Sequence, residues 1–213
     1  MLTRFDTPVG RLGGSVLSWV AFAFFFLGLY QAAAAVMSLG GSCASGGPYS
    51  IEAVCPESVV FFAPLGIFGI FLSFGIALAL ARGFGLSLVA WGWPIMFTGL
   101  GIQFFAEANG GQGIVVNIVC GTLFVVMGLA PVWFVVSSKT LAPTLVGSRS
   151  ITGDRFVYDG KARRYFGLTP TEGGAEANPA ARDWVISIAL WIVSVALGGW
   201  LSLLAFAAVA AAG

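Results

Sequence analysis

The chain has 213 residues, of which 58% are hydrophobic and 9% are charged, and its formal net charge is +1. Soluble domains average about 25% charged residues, so this composition excludes a soluble globular fold and favours the lipid bilayer as the solvent. The near-neutral charge gives no support to a nucleic-acid partner. The absence of histidine removes the usual residue of haem b ligation, His-based zinc catalysis and Ser-His-Asp hydrolysis.

Five apolar segments are each long enough to span a bilayer, which takes about 20 helical residues. In chain order they run from about Val16 to Leu39, Val59 to Ala81, Phe84 to Phe105, Ile114 to Val136 and Trp184 to Val209. The first is preceded by arginines, as in a signal peptide, but it is longer than a usual h-region, so we expect a retained anchor. The sequence therefore predicts an all-α, polytopic transmembrane helical bundle.

The loop from Gly40 to Ser58 contains Cys43 and Cys55, which are 12 positions apart. In an oxidising compartment they most simply form a structural disulfide, and closing so short a loop would contribute about 3 kcal/mol in the chain-entropy model. A redox or metal pair is the alternative, although the spacing is not CxxC and no third ligand is nearby. Cys120 falls within a span and is expected to be a packing residue.

Only Arg82 and Gly83 separate the second and third segments, and together the two segments would be about twice a span. We predict a tight helical hairpin in which Gly83 and Gly85 supply the backbone freedom of the turn. A re-entrant pair is the alternative.

The run from Ser42 to Tyr49 (SCASGGPY), followed by Cys55-Pro56, resembles a loop in small multi-pass membrane proteins of actinobacteria. The resemblance covers this loop alone. It implies an actinobacterial plasma membrane and an exported, disulfide-closed loop, and it implies no activity.

The spans contain no Asp, Glu, Lys or Arg at bilayer depth, which argues against ion pumps, proton relays, voltage sensors and a retinal Schiff base. Glu107 is expected to be an interface residue just beyond the third span. The polar residues of the spans are expected to make helix-to-helix hydrogen bonds, worth about 0.6 kcal/mol each, or alternatively to line a small-molecule path. These residues are Gln31, Ser73, Thr98, Gln103 and Asn117.

Basic residues favour the cytoplasmic side of a membrane. With five spans and a cytoplasmic N-terminus, all ten Lys and Arg fall on that side, and the two opposite loops carry only Glu52, Glu57 and Glu107. The expected topology has the N-terminus in the cytoplasm and the C-terminus exported, in the plasma membrane.

The chain is thus predicted to divide into a four-span region (1–136) with a disulfide loop (40–58), a cytoplasmic loop (137–183) and a fifth transmembrane helix (184–213). In the cytoplasmic loop, Asp159-Gly160 between short aromatic-rich runs predicts a type I′ hairpin. The Pro- and Gly-rich stretch after it is typical of a flexible linker. Basic residues of this loop are expected either to contact anionic lipid headgroups or only to set the orientation, and they are Lys161, Arg163 and Arg164.

Ser194, Gly198 and Ser202 recur every four residues on the last span, so they share one helix face. Small residues at this spacing permit close helix approach, although glycine and alanine are common in membrane helices anyway. With no catalytic residue, metal site or cofactor site visible, we expect a non-catalytic membrane subunit whose partners are lipids and other membrane subunits. The alternative is a small transporter or pore.

Overall fold

The computed structural model describes residues 7–39, 43–44, 53–108, 114–137, 140–158 and 175–212. Its helices are α1 (Pro8–Ser38), α2 (Glu57–Ile76), α3 (Leu88–Ala108), α4 (Ile114–Ser137), the short α5 (Leu141–Val146) and α6 (Ala181–Ala212). The last turns of α2 continue as a π-helical segment, Ala77–Ala81. Two short strands, β1 (Arg155–Phe156) and β2 (Glu176–Ala177), complete the described elements.

Five of these helices are long and apolar enough to cross a membrane, namely α1, α2 with its π-helical segment, α3, α4 and α6. The prediction of an all-α, five-span bundle is confirmed. The protein is therefore a multi-pass membrane protein, and its large outward-facing apolar side chains are those that lipid would cover.

Helix α1 begins at Pro8, about two turns before the apolar run at Val16, so its predicted start was wrong. Thr7 caps the helix, because its hydroxyl oxygen accepts a hydrogen bond from the backbone N–H of Gly10 at 3.0 Å. Pro8 then occupies the first turn, where a missing N–H costs nothing. Hydropathy does not detect a helix start of this kind, because the capped turns are not apolar.

Helix α6 also begins earlier than predicted, at Ala181 instead of Trp184. The carboxylate of Asp183 accepts a hydrogen bond from the backbone N–H of Ala180 at 2.8 Å, which stabilises the start of the helix. The stretch expected to be a linker therefore ends in ordered structure, since β2 at Glu176–Ala177 pairs in parallel with β1. The predicted turn at Asp159-Gly160 lies outside the described residues.

Helix α1 is the centre of the bundle and packs against α2, α6 and α3, whereas α4 packs mainly against α3. Glycines let α1 and α2 approach closely. A Cβ at Gly66 would lie 2.7 Å from the Cβ of Leu29, and one at Gly28 would lie 2.7 Å from the ring of Phe62. A side chain at Gly66 would press on the backbone of α1, and one at Gly28 would displace the ring of Phe62.

The turn between α2 and α3 is longer than predicted, because α3 begins at Leu88 and not at Phe84. Gly83 and Gly85 adopt φ values of +82° and +76°, the conformation for which glycine was expected there. Arg82 also has positive φ, at +47°, and is the one non-glycine residue of the described chain in this region. Both neighbouring helices are long and apolar enough to cross a membrane, as the predicted hairpin requires.

One end of the bundle is covered by an ordered structure that we call the cap, formed by residues 82–87 and 140–158. The two parts are joined by backbone hydrogen bonds. The amide of Ser148 donates to the carbonyl of Gly83 at 2.7 Å, and that of Ser87 donates to Thr144 at 2.9 Å. The first half of the predicted cytoplasmic loop is thus docked on the ends of the helices.

Candidate functional site

The cap is bonded to the start of α1 through the side chain of Arg11. Arg11 is 3% exposed. Its guanidinium donates two hydrogen bonds to the backbone carbonyl of Ile151, from Nη2 at 2.9 Å and from Nε at 3.2 Å. A charged donor satisfied in this way is stronger than a neutral one, so Arg11 fixes residues 147–154 to the start of α1.

Two glycines make this docking sterically possible. Gly153 has φ +101°, and a Cβ there would lie 3.0 Å from Nη2 of Arg11. Gly147 has φ +99°, and a Cβ there would lie 2.8 Å from the carbonyl oxygen of Gly85. The cap therefore depends on glycine both for backbone conformation and for space.

Within the cap, a turn is closed by side chains. The hydroxyls of Ser150 and Thr152 are 2.7 Å apart, and the Thr152 hydroxyl donates to the carboxylate of Asp154 at 2.5 Å. The Ser150 hydroxyl also accepts the backbone N–H of Asp154 at 3.0 Å. Such short local bonds fix the conformation of this turn.

The other side of the cap is bonded to the start of α6. The hydroxyl of Ser187 donates to the carbonyl of Leu145 at 2.6 Å. The phenol of Tyr158 donates to the carbonyl of Gly147 at 2.7 Å. Burial, with a smaller contribution from the nearby carboxylate of Asp183, raises the pKa of Tyr158, so the phenol remains a hydrogen-bond donor.

Trp19 of α1 anchors the cap to the apolar core. Its indole N–H donates to the carbonyl of Leu86 at 2.9 Å, and its ring is buried among Phe22, Ile70 and Leu88. Trp19 is therefore part of the apolar core. Trp133, by contrast, is largely exposed on α4.

The small residues of the last span face α1. Ser194 and Ser202 are 1% and 0% exposed, and their hydroxyls have no hydrogen-bond partner among the described residues. A Cβ at Gly198 would lie 2.9 Å from the Cβ of Ala23 and would collide with the carbonyl oxygen of Val20. The neighbour of this stripe is thus a span of the same chain.

Cys43 and Cys55 are joined by a disulfide, with their Cα atoms 5.0 Å apart, which confirms the predicted pairing. The adjacent backbone is paired as well, because the amide of Cys55 donates to the carbonyl of Ala44 at 3.1 Å. The disulfide joins the end of α1 to the start of α2. Cys120, the remaining cysteine, is free and half-buried in α4.

Thiol counting should reveal this pairing directly. Denatured but unreduced protein should react with one equivalent of a maleimide, at Cys120, and reduced protein with three, because the chain has three cysteines. Intact-protein mass spectrometry measures the stoichiometry. Uptake of three equivalents before reduction would show that the disulfide is not formed.

The polar residues of the spans do not gather into one described cluster. Gln103 is 7% exposed, and its amide donates to the carboxylate of Glu107 at 3.2 Å, near the end of α3. Gln31 donates to Leu27 one turn earlier in α1, and Ser73 donates to Ile70 in α2. These hydroxyl and amide groups are thus hydrogen-bonded within their own helices.

No group of three or more His, Cys, Asp or Glu suited to holding a metal ion occurs in the part of the chain that the structure describes. Lys161, Arg163 and Arg164, the expected headgroup contacts, lie outside the described residues, so that expectation stays a prediction.

Sequence reasoning missed the cap. Arg11 was assigned to the positive flank of the first span, and no local pattern indicated that its guanidinium would be buried against Ile151, 140 positions away. The recurrent glycines at 83, 85, 147 and 153 were the one available signal, because glycine-rich segments outside the spans suggest constrained turns.

Comparison of the chain with protein-family models, curated proteins and solved structures gives no match. The fold and the packing of its residues are therefore the basis on which a function can be argued.

Proposed function

We propose that this protein is a non-catalytic integral membrane subunit that packs on, assembles or stabilises a larger membrane complex. The observation that carries the proposal is the outward face of α2 around Gly75. This face has the shape of a helix-packing surface and no partner within the described chain.

Most glycines of the described spanning helices have a structural reason within the protein. At Gly28, Gly66, Gly101, Gly121 and Gly198, an added Cβ would lie within about 3 Å of a neighbouring helix. At Gly75 nothing lies within 4 Å of the Cβ position. Glycine inside a helix is about 1 kcal/mol less favourable than alanine, so an open glycine within a span lacks an explanation inside the described chain.

The surroundings of Gly75 support a contact role. Ala79 lies one turn further on, is also exposed, and completes a small-xxx-small pair on the outer face of α2. Large side chains border this pair, with Phe68 75% and Phe71 66% exposed. In lipid, close packing of small residues substitutes for the absent hydrophobic driving force. A surface with two small residues bordered by large ones therefore fits a helix of another membrane protein.

The location that we propose is a plasma membrane, with the cap on the cytoplasmic side and the disulfide on the exported side. Arginines of the described cap, Arg82, Arg149 and Arg155, lie at the proposed cytoplasmic end, as the preference of basic residues for that side requires. The resemblance of the disulfide loop to exported loops of actinobacterial membrane proteins supports the same orientation.

Topology can be tested with tags. Because five spans are an odd number, a tag on Met1 should be protected in intact cells and a tag on Gly213 should be accessible. Protease or antibody accessibility before and after permeabilisation measures this. Equal protection of both tags would overturn the proposed topology.

The subunit proposal is tested by affinity purification from native membranes in mild detergent. We expect a stoichiometric membrane partner to co-purify with the wild-type protein. Gly75→Leu should reduce the retained partner by at least about tenfold without lowering the melting temperature, because the position is open within the chain. Gly13→Leu makes the same change at another open glycine and should leave the partner bound.

The second candidate is a small transporter or pore, which the burial of the amide of Gln103 beside Glu107 favours. The same purification separates the two candidates. A protein that elutes alone or as a homo-oligomer favours the transporter, and retention of a partner by Gly75→Leu removes the observation that carries the subunit proposal.

A further inference from the structure

No further inference is drawn: the strongest candidate, the buried seam between α1 and α6 where the hydroxyls of Ser194 and Ser202 have no hydrogen-bond partner among the described residues, is a stripe of small residues filled by α1 itself, and nothing in the structure points to a ligand there.

Discussion

Replacing Arg11 with alanine should destabilise the protein by about 1.5–3 kcal/mol, the usual range for hydrogen bonds made by a charged group. The substitution removes both hydrogen bonds that the Arg11 guanidinium donates to the carbonyl of Ile151 inside the cap. We expect a lower melting temperature in detergent, together with faster proteolysis within residues 147–154. Size-exclusion chromatography after heating, followed by mass spectrometry of the fragments, measures both effects.

Arg182 provides the matched control. It carries the same charge at the same end of the bundle, but its side chain is 79% exposed and its ion pair with Asp183 is long, at 3.9 Å. An exposed pair of this kind contributes little, so Arg182→Ala should change stability by less than about 1 kcal/mol. If Arg11→Ala and Arg182→Ala have the same melting temperature, the guanidinium of Arg11 does not stabilise the docking of the cap.

Replacing Gly198 with leucine should have a comparable or larger effect. The first carbon of the new side chain already overlaps the carbonyl oxygen of Val20, and backbone cannot move aside as a flexible side chain would. Overpacking typically costs about 1–3 kcal/mol, and a backbone collision belongs at the upper end of that range or beyond it. We expect aggregation or a clearly lowered melting temperature.

Gly199, the next residue, provides the control that separates a packing collision from the mere change of glycine to leucine. A Cβ at Gly199 would meet only the side chain of Leu27, at an ordinary contact distance of 3.7 Å. Gly199→Leu should therefore fold as well as the wild type, since leucine is also the better helix former. Equal behaviour of Gly198→Leu and Gly199→Leu would mean that the stripe is incidental to the packing of α6 on α1.

The part of the fold that the sequence predicted is the part that depends on local composition. Span number follows from the length of apolar runs, since each run must cross about 30 Å of hydrocarbon. The Cys43–Cys55 pairing followed from two cysteines in one short loop. The glycine turn after α2 followed from the two apolar segments being separated by only Arg82 and Gly83.

The cap could not be predicted in the same way, because its interactions join distant residues. Residues 140–158 show no hydrophobic period, and their amides and carbonyls pair with Gly83 and Ser87 through backbone groups that every sequence possesses. Arg11 illustrates the difficulty, because an arginine before an apolar run has the same local pattern whether it faces water or a buried carbonyl. The helix starts at Pro8 and Ala181 were missed for a related reason, since caps are polar.

The bond between Arg11 and Ile151 also has a consequence for biosynthesis. The two residues are separated by 140 positions. At about 5–20 residues per second, a ribosome needs roughly 7–28 s to make the carbonyl after it has made the arginine. During that interval the rest of the first four spans is synthesised while the guanidinium lacks this acceptor. The start of α1 therefore reaches its final environment only after the fourth span has been synthesised, because the segment that binds Arg11 follows that span in the chain.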